Sequence, residues 1–426
     1  MKRILLCMLM LCLFVLAGCR ERGSGSKETL TLTIWEDNKN ISLVQEMAEE
    51  FARYYAYNYP NAPQLRFEIV PHSEKSAVED LVLDGPAGKG PDVLAFVHDT
   101  LGSAVGGGHL AENKFPYKIS ALHSSEAVQA ASIDGVVYGF PITSESQVLI
   151  YRKSKFSEED VRDVEKILAK GKLVWDVFEG YYSIGLLSDA ILYGEDGETT
   201  AGPRESFLNF KTPQAKANLV YLKENFKGND NLIIPGATGG STDIEGLSYF
   251  LSGSADAIIV APYFWASAKE EFGSDVGMAP LPRVNGNEMR PFSGFKLYGV
   301  SRYSENPALA QELADFLVSE WAQALRFREK SLLPTVDSLR LRLDEKELTV
   351  DSWRKLEATK VVIPEAVLRE ARIFKESLDK SRTMPKLPRF AGFWHAYANN
   401  IKAFWEKEDV SAAELDEFLD NITKNL

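Results

Sequence analysis

Alternating and continuous apolar patterns divide the first hundred residues into strands and helices. Apolar and polar residues alternate over 30–34 and again over 65–69, which predicts two β-strands. Between them, Ser42-Leu-Val-Gln45 predicts a capping box that opens a helix, and a charged helical segment follows the second strand. A continuous apolar run over 93–97, bounded by glycines, predicts a strand buried on both faces. This β-α-β-α-β order predicts an α/β fold with a parallel sheet covered by helices.

Similar signals continue to the C-terminus. Thr212-Pro213 and Asn306-Pro307 each predict a helix start, because proline is favoured at the first helical position. Residues 257–260 predict another buried strand, and Ser411-Ala-Ala-Glu414 predicts a second capping box. We interpret the apolar faces of these helices as core.

The N-terminus has the pattern of a secretory leader. Lys2 and Arg3 precede an apolar run over 4–17 that is too short to remain as a membrane-spanning helix. Leu16-Ala-Gly-Cys19 resembles a bacterial lipobox, which implies cleavage before Cys19 and acylation of that cysteine. We therefore predict a lipoprotein signal peptide at 1–18 and a lipid-anchored flexible tether at 19–28. The alternative is a plain signal peptide followed by a chance cysteine.

Charge and cysteine content narrow the classes of function. The net charge is −13, and removal of the leader would also remove the positive charges of Lys2 and Arg3, which makes the remaining chain more negative. The negative electrostatic potential of such a chain repels phosphate backbones, so we expect no nucleic-acid partner. A neutral ligand fits this charge best. Cys19 is the only cysteine outside the leader, so no disulfide or cysteine-based metal site is available and the core must hold the fold.

A carboxylate and an imidazole follow the predicted strand at 93–97. Ligands of open α/β sheets bind beyond the carboxyl ends of parallel strands, so His98 and Asp99 lie where a ligand would bind. The simpler alternative is that Asp99 caps the next turn and His98 is an ordinary loop residue.

Carboxylates and aromatic rings supply the remaining candidate chemistry. Asp99, Glu145 and Glu179 could act as acid and base in a glycoside hydrolase, which needs two carboxyl groups about 5–10 Å apart. The sequence motifs of serine hydrolases, zinc proteases and P-loop enzymes do not occur, so we predict that the protein is not an enzyme.

Several aromatic rings lie beside polar residues at predicted ends of elements. Such rings suit stacking on the apolar faces of a sugar, while any one of them could equally be ordinary core. They are Phe96, Tyr181, Tyr182, Tyr263, Trp265, Phe393 and Trp394.

Eight short segments along the chain match sequence motifs of one known protein family. They are Gly88–Asp99 (GKGPDVLAFVHD), Leu110–Glu112, Tyr138–Glu145 (YGFPITSE), Leu149–Tyr151, Pro262–Trp265 (PYFW), Pro291–Gly294 (PFSG), Met384–Pro388 (MPKLP) and Phe393-Trp394. In this order and spacing they resemble the extracellular solute-binding proteins of bacterial ABC transporters, specifically the maltose/maltodextrin-binding group. The resemblance runs from about Leu30 to the C-terminus.

The resemblance implies a set of pocket residues. The carboxylates would accept hydrogen bonds from glucosyl hydroxyls, Tyr181 would line the cleft, and Phe96, Tyr263 and Trp394 would be stacking platforms. An Asp-Lys pair of the family corresponds to Asp37 and Lys39. The predicted ligand-binding residues are Asp37, Lys39, Phe96, Asp99, Glu145, Glu179, Tyr181, Tyr263, Trp265 and Trp394.

The resemblance also implies a two-lobed, periplasmic-binding-protein-like fold with a hinge and an inter-lobe ligand cleft. We expect lobe one at 29–143 and 284–330 and lobe two at 144–283 and 331–426, in a monomer. No cofactor or metal is implied. A ligand would shift an open–closed equilibrium through contacts made only in the closed state.

The implied function is capture of a neutral maltooligosaccharide outside the cytoplasmic membrane and delivery to the transmembrane subunits of an ABC permease. The protein would be anchored to the membrane by its N-terminal lipid. Thr100 and His395 replace an arginine and a tyrosine that are frequent in the family, so the length and linkage of the glucan stay open. The alternatives are a different neutral di- or oligosaccharide, and a lipoprotein that serves glycan sensing or adhesion.

Overall fold

The computed structural model describes residues 28–187, 210–236, 242–351, 359–386 and 388–424. The strands of this part are β1 (Thr29–Glu36), β2 (Gln64–Pro71), β3 (Val93–Val97), β4 (Ser132–Ile133), β5 (Val136–Val137), β6 (Phe140–Ser146), β7 (Val148–Arg152), β8 (Leu173–Val174), β9 (Leu232–Ile233), β10 (Ala257–Val260), β11 (Val276–Ala279), β12 (Phe292–Val300), β13 (Leu333–Pro334), β14 (Glu347–Val350), β15 (Thr359–Val362) and β16 (Arg382–Thr383). The predicted signal peptide and Cys19 lie outside the described residues.

The helices of the same part are numbered in chain order. They are α1 (Ile41–Asn58), α2 (Ala77–Asp84), α3 (Leu101–Gly106), α4 (Pro116–Leu122), α5 (Ser125–Ala130), α6 (Val164–Lys170), α7 (Gly180–Ser183), α8 (Pro213–Phe226), α9 (Leu247–Leu251), α10 (Trp265–Phe272), α11 (Pro307–Leu317), α12 (Glu320–Lys330), α13 (Asp337–Arg340), α14 (Glu365–Asp379), α15 (Ala391–Glu406) and α16 (Ala412–Thr423). Within the described ranges, none of these helices is long and apolar enough to cross a bilayer.

The first sheet has the strand order β13-β6-β12-β3-β1-β2, with β16 beside β12. Strand β1 pairs in parallel with β2 along its full length and with β3 at its end, as predicted. Strand β12 pairs antiparallel with both β3 and β6, so the sheet is mixed rather than wholly parallel. Its apolar core is covered by helices that include α1 and α11.

The second sheet has the strand order β11-β7-β10-β8-β9. Strand β7 pairs antiparallel with β10 and β11, and β8 pairs in parallel with β10 and β9. All four residues of β10 are buried, as the apolar run predicts. Two further cores pack against this sheet, one of them built largely from α8, α15 and α16.

The chain crosses between the two sheets more than once. Strands β1 to β6 precede the second sheet in sequence, while β12, β13 and β16 follow it and complete the first sheet. The predicted lobe boundary at 143/144 falls within β6. Strand β13 lies in the first sheet, although the prediction assigns residues after 330 to lobe two. The division into lobes at those residues stays a prediction.

Helix starts follow the predicted cap signals in part. The Thr212 side chain accepts the N–H of Ala215, and Ser411 forms a full capping box with Glu414, as predicted. The predicted capping box at Ser42 is wrong. Helix α1 already begins at Ile41, because a 3₁₀ turn over Asn38–Asn40 leads directly into it.

A buried polar network fixes that turn. The amide of Asn40 donates to the Glu36 carboxylate across 3.0 Å, and Glu36 also accepts the Tyr298 hydroxyl. Arg326 in turn donates to the Tyr298 hydroxyl at 2.5 Å. Burial raises the pKa of Glu36, while the Arg326 charge opposes that shift. The network therefore holds the turn after β1 in one position.

Candidate ligand-binding cleft

Turns at the ends of strands from both sheets face one cleft. The turn Asn38–Asn40 follows β1 and the turn His98–Thr100 follows β3, both in the first sheet, while Pro262–Phe264 follows β10 in the second. The cleft has two connected halves with volumes of about 460 and 760 Å³. Both halves are lined by Lys75, Val97, Glu145 and Tyr263.

The smaller half, here named the acidic half, combines carboxyl groups with aromatic walls. Its carboxyl groups are Asp99, Glu145, Asp176 and Glu179, and its further rings are Tyr181, Tyr182 and Trp394. The larger half, here named the lysine half, is lined by Lys39, Lys75, Lys269, Lys296 and Lys330 with Asp37, Glu74, Glu145, Glu370, Tyr263 and Trp265.

Asp99 is half-buried in the turn that follows β3. Burial raises its pKa to about 6, although the N–H groups of the turn and the Lys75 charge favour the carboxylate. Its Oδ1 atom is buried and has no hydrogen-bond partner among the described residues. A buried acceptor of this kind gains most from a donor supplied by a ligand.

Glu145 and Glu179 approach the same space from strand β6 and from the start of α7. Burial raises the pKa of Glu145, while Lys296 opposes the shift, and its Oε2 atom has no partner in the described ranges. Burial raises the pKa of Glu179 to about 7, and its carboxylate caps α7 by accepting the N–H of Tyr182 at 3.1 Å. The acidic half therefore holds three strongly desolvated carboxyl groups.

Close packing of α7 on α15 brings Glu179 and Trp394 to the same wall. A Cβ atom at Gly180 would lie 2.9 Å from the Phe393 ring, so only glycine allows this approach. Trp394 is half-buried and packs edge-on against Phe292 and Phe393, which leaves part of the indole toward the cleft. The indole is thus held rigidly by neighbouring rings.

His98 is a structural residue. Its Nδ1 accepts the N–H of Phe295 at 3.1 Å, which leaves Nε2 to donate to the carbonyl of Met384 at 2.8 Å. Burial lowers its pKa to about 4, so the ring is neutral near pH 7. Both ring nitrogens are used, and His98 fixes the turn that carries Asp99.

Ion pairs fill much of the lysine half. Lys296 lies 2.6 Å from Glu74, and Lys269 lies 2.7 Å from Glu370. Burial opposes the charge on Lys296, but the carboxylates of Glu74 and Glu145 hold its pKa above the usual value. This half is more highly charged than the acidic half and its charges are largely compensated.

Comparison with known proteins identifies the family of the chain. The sequence profile of bacterial extracellular solute-binding proteins matches residues 47–358. The chain belongs to this family.

Two curated relatives of this solute-binding protein come from Bacillus subtilis (strain 168). A galactooligosaccharide-binding protein is 30% identical over 354 residues, which cover 78% of this chain and 80% of the relative. The maltodextrin-binding protein MdxE is 27% identical over 408 residues, which cover 89% of this chain and 86% of the relative. Both are named as binding proteins.

Solved structures share the fold. A maltodextrin-binding protein, MalE1 from L. casei BL23, superposes with a TM-score of 0.72 at 20% identity, covering 93% of this chain and 99% of that chain. A cyclo/maltodextrin-binding protein complexed with maltotetraose gives a TM-score of 0.68 at 23% identity, covering 95% and 98%. The predicted periplasmic-binding-protein-like α/β fold is confirmed.

Nine of the ten predicted ligand-binding residues line the cleft of this solute-binding protein. Asp99, Glu179, Tyr181 and Trp394 belong to the acidic half, Asp37, Lys39 and Trp265 belong to the lysine half, and Glu145 and Tyr263 belong to both. Their role in binding stays a prediction.

Phe96 is placed differently from the prediction. Side chains of a strand alternate between its two faces, so Phe96 points away from Val97, which lines the cleft. Phe96 is fully buried in the core of the first sheet. We therefore remove it from the candidate ligand-binding residues.

Sequence reasoning missed Lys75, Asp176 and Lys296 in the cleft. Lys75 could have been found, because it follows β2 as Asp99 follows β3. Lys296 carries a weaker signal, namely a charged residue between Phe295 and Leu297 in an apolar strand. Of the two departures from the family pattern, Thr100 lines the acidic half and donates to the Val97 carbonyl at 2.8 Å, and His395 is exposed.

Proposed function

We propose that the protein captures a neutral oligosaccharide, with maltodextrin as the first candidate, in the cleft between its two sheets. The observation that carries the proposal is the acidic half, where unpartnered carboxylate oxygens of Asp99 and Glu145 face a space walled by aromatic rings. A sugar has hydroxyl donors at its edges and apolar C–H groups on its faces. The hydroxyls can donate to the carboxylate oxygens while the C–H faces stack on the aromatic rings.

The magnitudes support a useful affinity. A hydroxyl bound by a carboxylate contributes about 1.5–3 kcal/mol, and a stacked ring contributes about 0.5–1.5 kcal/mol beyond the apolar area that it buries, by analogy with aromatic pairs. A micromolar complex needs about 8 kcal/mol. Three contacts of each kind reach this value after the cost of ordering the ligand.

A galactooligosaccharide is the second candidate. It is favoured by the relative that is 30% identical and is named for binding that class of sugar. Both candidates are neutral and present the same kinds of group, and they differ in the direction of one hydroxyl and in the linkage between rings.

Isothermal titration tests the two candidates directly. We would titrate the protein, purified without its leader, with maltose, maltotriose and a longer maltodextrin, with a galactooligosaccharide series, and with cellobiose and trehalose as controls. Micromolar or tighter binding of α-1,4 glucans without hydrolysis supports the first candidate. Preference for the galactosides supports the second, and absence of binding in all series contradicts the proposal.

We further propose that the protein is anchored by a lipid on Cys19 and delivers the sugar to ABC permease subunits. Membership of an extracellular solute-binding family and the lipobox-like sequence support this role. The test is uptake of labelled sugar by cells that lack the protein, with the wild-type chain or Cys19→Ser restored. Unimpaired uptake without the protein would favour a sensing or adhesive role instead.

A further inference from the structure

The ring of Tyr263 joins the two sides of the cleft. It lies in the turn after β10 of the second sheet, yet the Lys39 ammonium from the turn after β1 of the first sheet lies 4.8 Å from its centroid. Lys296 of strand β12, also in the first sheet, lies 5.6 Å from the same centroid. Ammonium groups within about 6 Å of an aromatic ring make favourable cation–π contacts.

The Lys39 side of this contact is held in place by its surroundings. The Asp37 carboxylate accepts the Lys39 N–H at 2.9 Å, and the Lys330 ammonium donates to the Lys39 carbonyl at 2.8 Å. Asn40, the next residue, is bonded to buried Glu36. The backbone of Lys39 is therefore fixed at the point from which its ammonium group reaches across the lysine half to Tyr263 and forms a bridge.

The position of the bridge gives it a consequence for ligand length. Tyr263 and Glu145 line both halves of the cleft, so the ring stands where a sugar chain passes from the acidic half into the lysine half. A pyranose stacked on the ring from the lysine half needs the space above it that the Lys39 ammonium occupies. We infer that the Lys39–Tyr263 contact determines specificity for ligand length: an oligosaccharide confined to the acidic half leaves it intact, whereas a longer one must displace Lys39.

This inference rests on the proposed function and predicts a change in selectivity rather than in overall affinity. The contact is present in the short-ligand complex and broken in the long-ligand complex. Its removal therefore weakens binding of the short ligand relative to the long one, which raises the ratio of the short-ligand to the long-ligand dissociation constant. That shift does not depend on whether the contact exists in the free protein. The strength of a cation–π contact corresponds to a shift of roughly three- to thirtyfold.

The experiment titrates the wild-type chain and Lys39→Met with a two-ring and a four-ring member of the sugar series that binds. Lys39→Met removes the bridge and leaves the Tyr263 ring available to the longer sugar. Lys39→Arg should retain the wild-type ratio, because a guanidinium also binds an aromatic face. The matched control is Lys223→Met, which removes a similar contact, 4.9 Å from the Phe404 ring, outside the cleft. The inference is supported if the ratio of the short-ligand to the long-ligand dissociation constant rises in Lys39→Met and stays at the wild-type value in Lys39→Arg and Lys223→Met.

Two results would overturn the inference: an unchanged ratio, or a shift toward the short ligand, which would make Lys39 a donor to the long sugar. If no sugar binds the wild-type chain, the proposed function has failed. The inference is then decided by a double-mutant cycle of the free energy of unfolding for Lys39→Met and Tyr263→Leu. Additive effects would show that the bridge does not exist.

Discussion

Glu179 links the acidic half of the cleft to the stability of the protein. Its carboxylate caps helix α7 and lies in a desolvated site whose burial raises its pKa to about 7, against an ordinary value of 4.5. The ionised form is therefore disfavoured in the folded chain relative to the unfolded chain. Its contribution to the free energy of unfolding falls as the pH rises from about 4.5 through about 7.

Replacement of Glu179 by glutamine should stabilise the protein at alkaline pH. Glutamine retains an oxygen that caps the helix and cannot ionise, so Glu179→Gln should raise the free energy of unfolding at pH 8 by roughly 1–3 kcal/mol. At pH 4.5 the wild-type carboxyl is protonated and the difference should nearly vanish. Urea unfolding at both pH values measures the effect, and an equal difference at the two would contradict it.

Trp394 should contribute a large share of the binding energy. It is the half-buried indole of the acidic half and is held by Phe292 and Phe393, so little entropy is lost when a sugar stacks on it. Trp394→Ala should weaken sugar binding by about 2–4 kcal/mol while the protein stays folded. The exposed neighbour His395 provides the control, since His395→Ala should bind sugar as the wild type does. Titration of both variants decides whether Trp394 belongs to the site.

At the scale of single elements, helix caps show how far local sequence determines structure. The same Ser/Thr-x-x-Glu/Gln spacing occurs at Ser42 and Ser411, and only Ser411 forms the box. At Ser42 the preceding turn is fixed by Asn40 and the buried Glu36, so the helix starts before the serine. A contact with a distant buried network decides between two equal local signals.

The two serines offer a matched pair of substitutions. Ser411→Ala should lower the free energy of unfolding by about 1 kcal/mol, because α16 loses its capping box. Ser42→Ala should be neutral or slightly stabilising, because alanine is the better helix former inside α1. Thermal unfolding of both variants measures the difference, and an equal loss in the two would restore the predicted cap at Ser42.

The difference between local signals and distant contacts also explains which site residues the sequence could predict. Asp99, Glu145 and Tyr263 follow from local patterns and from the family resemblance, because they end or flank buried strands. Phe96 could not be assigned from its neighbours, since a strand buried on both faces gives no alternation to show which side meets the cleft. Lys296 depends on the pairing of β12 with β3 and β6, which no local pattern of the sequence contains.

At the scale of the whole molecule, the two sheets are connected by repeated crossings of the chain. The first sheet is completed by strands that precede and follow the whole of the second sheet in sequence, so we expect the described body to unfold as a unit. A ligand that binds across the cleft stabilises the folded state by mass action.

Unfolding measured with and without sugar tests this coupling. At a ligand concentration of one hundred times the dissociation constant, the free energy of unfolding should rise by about 2.7 kcal/mol in a single transition. Calorimetry and far-ultraviolet circular dichroism should report the same midpoint. Two transitions, of which the sugar shifts only one, would show that the two sides of the cleft unfold independently.

Strand β16 has a consequence for the order in which the chain acquires structure. It pairs with β12 in the first sheet, and the adjacent carbonyl of Met384 accepts the hydrogen bond from His98 that fixes the turn carrying Asp99. A chain that emerges from a translocation pore with its N-terminus first cannot complete this sheet until residue 384 has emerged. In such a chain the ligand site would become functional only once that passage is almost complete.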